Sequence, residues 1–119
     1  GRILGISVEP AAEELRTTLA GLATATAAHL GLKFTLAPED FAVDDAYLGT
    51  GYAQVADLER NAIRTMAQVE GILLDPAYTG RAFGGLLDLI EQGAFSPEER
   101  VLFWHTGGTT GLFGYAERL

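Results

Sequence analysis

Three short segments carry the residues in this sequence that are best suited to chemistry. Tyr52 follows two glycines in Gly49-Thr50-Gly51-Tyr52, and Tyr78 follows the apolar, turn-forming run Leu74-Asp75-Pro76-Ala77. A tyrosine at the carboxyl end of a strand can donate a proton or stack on a planar ligand. It can also simply pack over a helix start whose N-cap is Thr79. The residues alone leave both interpretations of Tyr78 open.

The third segment, Thr106-Gly107-Gly108-Thr109-Thr110-Gly111, follows the most strand-like run of the sequence, residues 100–105. Ligands of α/β proteins bind beyond the carboxyl ends of strands, where the N–H groups of a glycine turn can hold an anion. A structural turn that uses glycine only for its dihedral freedom has the same composition. The glycine spacing matches neither a P-loop nor a dinucleotide fingerprint.

Other reactive side chains are few. His29 and His105 are far apart in the sequence and predict no metal site. Ser7 lies in a predicted strand and Ser96 precedes a proline, so a serine triad is not indicated. Lys33, the one lysine, stands in a segment typical of an edge strand whose charge faces water.

Composition excludes several classes of function. The chain has 119 residues, a formal net charge of −8 and no cysteine, which excludes disulfides and thiolate chemistry. The acidic balance disfavours nucleic acid, and no apolar run is long enough to span a membrane. Because the chain opens on a strand pattern without a signal peptide, we expect a cytoplasmic protein with neither nucleic acid nor membrane as a partner.

Hydrophobic periodicity predicts alternating strands and helices. Strands are expected at residues 2–8, 33–36, 72–75 and 100–105, helices at 11–29, 55–68 and 79–91, an acidic loop at 38–45, and a final short helix. This order predicts an α/β fold, a parallel sheet with flanking helices. Only three of the strands are strongly indicated, and the exposed edges of so small a sheet need cover, so residues 1–119 are expected to form one incomplete α/β unit.

The three segments, taken together with the opening strand, resemble the C-terminal third of a pyridoxal-phosphate family. It is the D-cysteine desulfhydrase and 1-aminocyclopropane-1-carboxylate deaminase family, which has the tryptophan synthase β-like fold (fold type II). The resemblance covers essentially the whole chain and includes Leu74-Asp75-Pro76-Ala77-Tyr78-Thr79-Gly80-Arg81 and Trp104-His105-Thr106-Gly107-Gly108. It implies pyridoxal 5'-phosphate as cofactor, a small amino acid as substrate, and a homodimer at full length.

The resemblance also implies roles for individual residues. Tyr78 and Tyr52 match two active-site tyrosines, and are the expected catalytic residues. Thr79 stands where the deaminases carry a glutamate facing the pyridine nitrogen, and Thr106 lies near the same nitrogen in the desulfhydrases. The expected cofactor-binding residues are therefore Thr79, Thr106, Gly107 and Gly108, and no metal is expected.

The threonine at position 79 favours desulfhydrase-like β-elimination, with release of ammonia and a 2-oxo acid, over ring-opening deamination. A carboxylate keeps a pyridine nitrogen protonated and makes the ring a strong electron sink, whereas a hydroxyl supports a weaker one. Because Lys33 does not match the family's cofactor-linking lysine, and that lysine and the phosphate loop are expected upstream, this chain alone is not expected to be active. The alternatives are a self-contained α/β domain that binds a small anion and a non-catalytic assembly domain.

Overall fold

The computed structural model describes residues 2–119, which divide into two compact units that meet in sequence between Leu48 and Gly49. The elements are β1 (Leu4–Ile6), α1 (Ala12–His29), a 3₁₀ turn (Pro38–Asp40), β2 (Ala42–Asp44), α2 (Asp57–Glu70), α3 (Thr79–Glu91) and a 3₁₀ segment (Thr109–Arg118). The α/β class with a small parallel sheet and helices is confirmed.

The first unit is a β-α-β arrangement. β1 and β2 pair in parallel with Leu4 opposite Ala42, and α1 connects them in the chain. The α1 side chain of Arg16 donates to the carbonyls of Phe41 and Val43, at 3.2 and 3.0 Å. These bonds fasten α1 to the strand that the 3₁₀ turn leads into.

The second unit is built on the packing of α2 against α3. The buried face of α2 contributes Ala62, Ile63 and Met66, and Leu74 completes the core between the two helices. Gly84 lets the helices approach closely, because a Cβ added there would lie 2.5 Å from the Leu58 side chain. Partly buried apolar side chains cover this core: Phe83, Phe103, Leu112 and Leu119.

The helices agree with expectation more closely than the strands do. The predicted helix at 79–91 is confirmed at both ends, the other two are confirmed with starts one or two residues later, and the final short helix is a 3₁₀ segment. The predicted acidic loop at 38–45 is wrong, because it contains β2. β2 is three residues long and pairs with a strand more than thirty residues away, so local periodicity does not reveal it.

The predicted strands at 33–36, 72–75 and 100–105 are wrong for this structure, since none of these segments forms a ladder. The backbone of 72–75 hydrogen bonds to side chains instead. The carbonyl of Leu73 accepts from the side chains of His105 and Thr109, and the N–H of Asp75 donates to the hydroxyl of Thr79. Residues 100–105 still contact the core through Phe103, whose ring packs edge-on against Phe83 at 5.2 Å.

Candidate functional site

The segment that carries Tyr78, residues 75–80 and here called the Tyr78 loop, is organised by one buried carboxylate. Asp75 Oδ2 accepts the backbone N–H groups of Ala77 and Tyr78, and Oδ1 accepts that of Thr79, all at 2.8 Å. The N–H of Gly80 donates to the Asp75 carbonyl at 2.7 Å. One aspartate thus binds the first free N–H groups of α3, where negative charge is favoured by the helix dipole.

Thr79 completes this loop from inside. Its hydroxyl donates to Asp75 Oδ1 at 2.7 Å and accepts the backbone N–H of Asp75 at 2.9 Å. The side chain is buried, and both of its hydrogen-bonding functions are directed at the same aspartate. In this structure the Thr79 hydroxyl therefore directs its proton to Asp75 Oδ1.

The segment that carries Tyr52, residues 49–54 and here called the Tyr52 loop, is held from another element. Arg81 of α3 donates from Nη2 to the carbonyls of Gly51 and Gln54, at 3.1 and 3.0 Å. Its Nε donates to Glu59 of α2 at 2.7 Å, and both side chains of this ion pair are almost completely buried.

The two loops bring Tyr52 and Tyr78 together. Their hydroxyls are hydrogen bonded to each other, and the rings meet edge-on with centroids 5.7 Å apart. Both residues are nevertheless partly exposed, Tyr52 at 42% and Tyr78 at 48%, so each presents part of its surface to solvent. Two phenols in this arrangement can share, accept or donate a proton.

The turn at Gly107 and Gly108 packs on the same aspartate. Both glycines have positive φ, 101° and 87°, and a Cβ on Gly108 would lie only 2.8 Å from Asp75 Oδ1. The N–H of Gly107 donates to Nδ1 of His105, so Nε2 carries the proton that is shared with the Leu73 carbonyl. The exposed side chain of Thr106 makes no hydrogen bond within residues 2–119.

Four of the six sequence-predicted site residues thus lie around Asp75 in the second unit, and Thr106 and Gly107 belong to the adjoining turn. Tyr78, Thr79 and Gly108 lie against this aspartate, and Tyr52 reaches the cluster through Tyr78. Lys33 lies in the first unit, exposed in an irregular segment. Sequence reasoning did not single out three residues that shape the site, Asp75, Glu59 and Arg81, and it considered His105 only as a metal ligand.

Signals for some of these residues were present. An aspartate followed by proline, two residues and a threonine is a pattern for a side chain that binds a helix start. Glu59 stands at the third position of α2, where a glutamate accepts the N–H of the residue before the helix, here Ala56 at 2.9 Å. No local pattern indicates that Glu59 also pairs with Arg81, because the two residues belong to different helices.

Two further properties concern membranes and metals. Among residues 2–119, no helix has the length and apolar character required to span a bilayer. The same residues contain no group of three or more histidine or carboxylate side chains arranged to hold a metal ion.

The fold and the site together define an α/β protein with a partly exposed pair of tyrosines and a glycine turn that packs on the aspartate of the Tyr78 loop. A sequence profile of the family described as "Pyridoxal-phosphate dependent enzyme" matches residues 1–107. The chain belongs to this family, whose cofactor is pyridoxal phosphate. The resemblance to the desulfhydrase and deaminase branch of the family is confirmed by individual relatives.

A protein named D-cysteine desulfhydrase from Yersinia pestis (strain Pestoides F) is 41% identical over 113 residues, which is 95% of this chain and 34% of the relative. A protein named 1-aminocyclopropane-1-carboxylate deaminase from Burkholderia vietnamiensis is 35% identical, over 98% of this chain and 34% of that protein. A solved structure described as an ACC deaminase homologue superposes with a TM-score of 0.80 at 36% identity, over 98% of this chain and 34% of its own. The chain therefore spans about a third of the length of the relatives it matches.

The exposed groups of the site fit pyridoxal phosphate in their chemistry. The cofactor has a flat ring and a ring nitrogen that accepts a hydrogen bond when neutral. The site offers the Thr106 hydroxyl, which has no partner among the described residues, and two partly exposed tyrosines. Thr79 fits differently, because its hydroxyl already donates a hydrogen bond to Asp75. Only its remaining lone pair can accept a further hydrogen bond.

Proposed function

We propose that this chain contributes the tyrosine pair and the ring-nitrogen side of the active site in a pyridoxal-phosphate-dependent lyase. The substrate is a small amino acid, and the reaction is β-elimination of the D-cysteine desulfhydrase type, which releases ammonia and a 2-oxo acid. The observation that carries this proposal is the cluster around Asp75, in which Tyr78 meets Tyr52 and Thr79 directs its hydroxyl to the aspartate. Residues 1–119 form the C-terminal part of a larger cofactor-binding domain in this proposal.

When bound, pyridoxal phosphate supplies an electron sink for the charge that develops on the substrate's α-carbon after its proton leaves. Thr106, Gly107 and Gly108 would hold the cofactor on its ring-nitrogen side, where the Thr106 hydroxyl would donate to the ring nitrogen. Thr79 holds the Tyr78 loop, and its remaining lone pair is the only further bond it offers to the cofactor.

Tyr52 and Tyr78 hold a proton between them at a surface that a substrate can reach. In β-elimination a proton is removed from the α-carbon, and the group on the β-carbon departs with its electron pair. The phenol that accepts the hydrogen bond within the pair suits protonation of a departing thiolate with its own proton, since the other phenol stabilises the remaining phenolate through the bond that it already donates. We therefore propose Tyr78 and Tyr52 as the catalytic residues of this chain.

The hydroxyls near the ring nitrogen favour thiol elimination over ring opening. The carboxylate nearest to residue 79 is that of Asp75, and its oxygens accept three backbone N–H groups and the Thr79 hydroxyl. Its negative charge is thereby compensated by hydrogen bonds within the protein. A nitrogen that meets only hydroxyls remains a weaker sink than one paired with a carboxylate, and elimination of a good leaving group demands less of the sink.

The length of the chain limits what it does alone. The match covers about a third of each relative, so the relatives are about three times as long as this chain. Lys33 is exposed in the first unit and is distant in sequence from both tyrosines. We propose that activity belongs to a protein of the relatives' length, called here the full-length protein, in which another lysine binds the cofactor. It acts on small amino acids in the cytoplasm as a homodimer.

Substrate turnover by the full-length protein tests this function. We expect sulfide, ammonia and pyruvate from D-cysteine, with kcat/KM at least about tenfold higher than for 1-aminocyclopropane-1-carboxylate, a difference of about 1.4 kcal/mol. The L-enantiomer of cysteine, assayed in parallel, establishes which configuration the protein accepts.

The control is Tyr78→Phe, which removes one hydroxyl of the pair and keeps the ring. It should lower kcat for elimination by about 100-fold if the phenol transfers a proton. Equal turnover of the cyclopropane substrate and cysteine would contradict the elimination proposal. Absence of turnover of every small amino acid would favour the non-catalytic alternative. The anion-binding alternative has one backbone donor fewer in the glycine turn, because the Gly107 N–H donates to His105.

A further inference from the structure

The backbone of the Tyr52 loop is unusual in its dihedral angles. Gly49, Gly51 and Ala53 all have positive φ, at 62°, 138° and 55°. Ala53 is the only residue other than glycine with positive φ among the described residues, and this conformation costs an alanine free energy. Within the loop, the bond from the Gln54 N–H to the Gly51 carbonyl is long, at 3.4 Å. A loop of this kind needs support from elsewhere.

That support comes from the side chain of Arg81. Its Nη2 donates to the carbonyls of Gly51 and Gln54, which stand immediately before Tyr52 and two residues after it. The side chain is 1% exposed, so these bonds are made without competition from water. One nitrogen thus fixes the backbone on both sides of the tyrosine.

Glu59 fixes the guanidinium in turn. Its Oε1 accepts from Arg81 Nε at 2.7 Å, and its Oε2 accepts the N–H of Ala56 at 2.9 Å. Both carboxylate oxygens are occupied, and the side chain is buried. The start of α2, the guanidinium and the Tyr52 loop therefore form one connected set of hydrogen bonds.

We propose that Arg81 is a positioning residue, which holds the Tyr52 hydroxyl against that of Tyr78. Arg81 is also three residues from Tyr78 in the chain, at the start of the same helix, so it joins the two tyrosine-bearing loops through α3. The catalytic consequence rests on the function proposed above, whereas the positioning of the Tyr52 hydroxyl by Arg81 does not.

An arginine is required for this role by geometry. The planar guanidinium directs Nε to Glu59 and Nη2 to two carbonyls at the same time. A lysine has a single ammonium centre, so Arg81→Lys keeps the charge beside Glu59 but cannot reproduce both sets of bonds. This substitution separates the charge of the residue from its geometry.

The first test measures the contact between the tyrosines without any cofactor chemistry. We place 3-fluorotyrosine at residue 52 of the full-length protein and record the change in its ¹⁹F resonance when Tyr78 is replaced by Phe. In the parent protein Tyr78→Phe should shift the resonance. In the Arg81→Lys background the resonance should no longer respond to Tyr78→Phe.

Arg64→Lys is the matched control, because Arg64 also lies on α2, is exposed, and donates to the Leu119 carbonyl and not to the Tyr52 loop. This control should retain the full response. If Arg81→Lys does not fold, Glu59→Gln provides the same test, since it removes the charge that orients the guanidinium. A full response in a folded Arg81→Lys or Glu59→Gln protein would overturn the proposal.

The second test measures the consequence for turnover. Arg81→Lys should lower kcat for the eliminated substrate by about 10- to 100-fold, because small displacements of a catalytic group have effects of this size. In a Tyr52→Phe background the same substitution should have almost no further effect. Equal losses in both backgrounds, with the ¹⁹F response abolished, would contradict the use of Tyr52 in the proposed function and leave the positioning intact.

Discussion

The Tyr78 loop and the Tyr52 loop each present one exposed tyrosine, yet they are stabilised in opposite ways. The Tyr78 loop is closed by its own residues, since Asp75 accepts four hydrogen bonds from positions 77 to 79. The Tyr52 loop depends on Arg81, which is 27 residues beyond Gln54 in the chain. The hydroxyl pair therefore joins a locally determined group to one determined from a distance.

This difference has a physical consequence for the site. A loop closed by local hydrogen bonds forms with its helix, and its geometry changes only if one of a few neighbouring residues changes. A loop held by a buried ion pair depends on the packing of two helices, α2 and α3. The Tyr52 side of the pair is thus the side more sensitive to substitutions away from the site.

The largest expected effect is on the remotely held loop. Glu59→Ala removes the carboxylate that pairs with the buried guanidinium of Arg81, at a cost of about 3–5 kcal/mol in stability. Hydrogen exchange of the full-length protein, followed by mass spectrometry on peptides that cover residues 49–54, measures the free energy of local opening.

Asp57→Ala is the control for Glu59→Ala, since it removes a carboxylate from the same helical turn. Asp57 is almost fully exposed and lies 3.7 Å from Arg60, so its loss should leave exchange in the Tyr52 loop unchanged. If Glu59→Ala opened the Tyr78 loop as much as the Tyr52 loop, the distinction between local and remote support would be wrong.

The second prediction concerns the glycine turn that packs on the Tyr78 loop. Gly108→Ala combines a strained φ of 87° with a Cβ placed 2.8 Å from Asp75 Oδ1, and should cost about 2–3 kcal/mol. Gly107→Ala is the matched control, because φ is also positive there but the added Cβ meets no atom within 4 Å. Exchange in residues 75–80 should increase for Gly108→Ala alone, and equal effects of both variants would exclude the contact with Asp75 as the cause.

The two loops also show how much of the fold and site could be predicted from sequence. The bounds of α3 were predicted correctly because its start depends on adjacent residues, from Asp75 to Thr79. β2 was missed because a three-residue strand is defined by its partner β1 and not by its own composition. Apolar runs at 72–75 and 100–105 were read as strands, but neither joins a ladder, and the Leu73 carbonyl accepts from the side chain of His105.

In the site, too, features set by short motifs were predicted and features set by the packing of distant segments were not. Resemblance of short motifs identified both tyrosines, and the structure brings their hydroxyls into contact. Nothing in the local pattern around Tyr52 indicated that Arg81 holds its loop, because that bond depends on how two helices pack. The commitment of the Thr79 hydroxyl to Asp75 was likewise not predicted, although the two residues are close in sequence, since a hydroxyl's direction is set by its rotamer.

The smallest expected effect tests whether Thr79 supports the Tyr78 loop through its hydroxyl. Thr79→Val keeps the shape of the side chain but removes the bond to Asp75 Oδ1 and the acceptor for the Asp75 N–H, which should cost about 1–2 kcal/mol. Thr79→Ser retains the hydroxyl and should restore most of this loss. The opening free energy from exchange in residues 75–80 measures both variants, while residues 49–54 serve as the internal reference.

The reference segment decides the interpretation of this last experiment. The Tyr52 loop is held by Arg81 and not by residue 79, so its exchange should remain unchanged when only the threonine hydroxyl is lost. If Thr79→Ser opened the Tyr78 loop and Thr79→Val did not, the methyl group and not the hydroxyl would be the stabilising part. The hydroxyl would then be available to a bound cofactor, as the resemblance to the family implies.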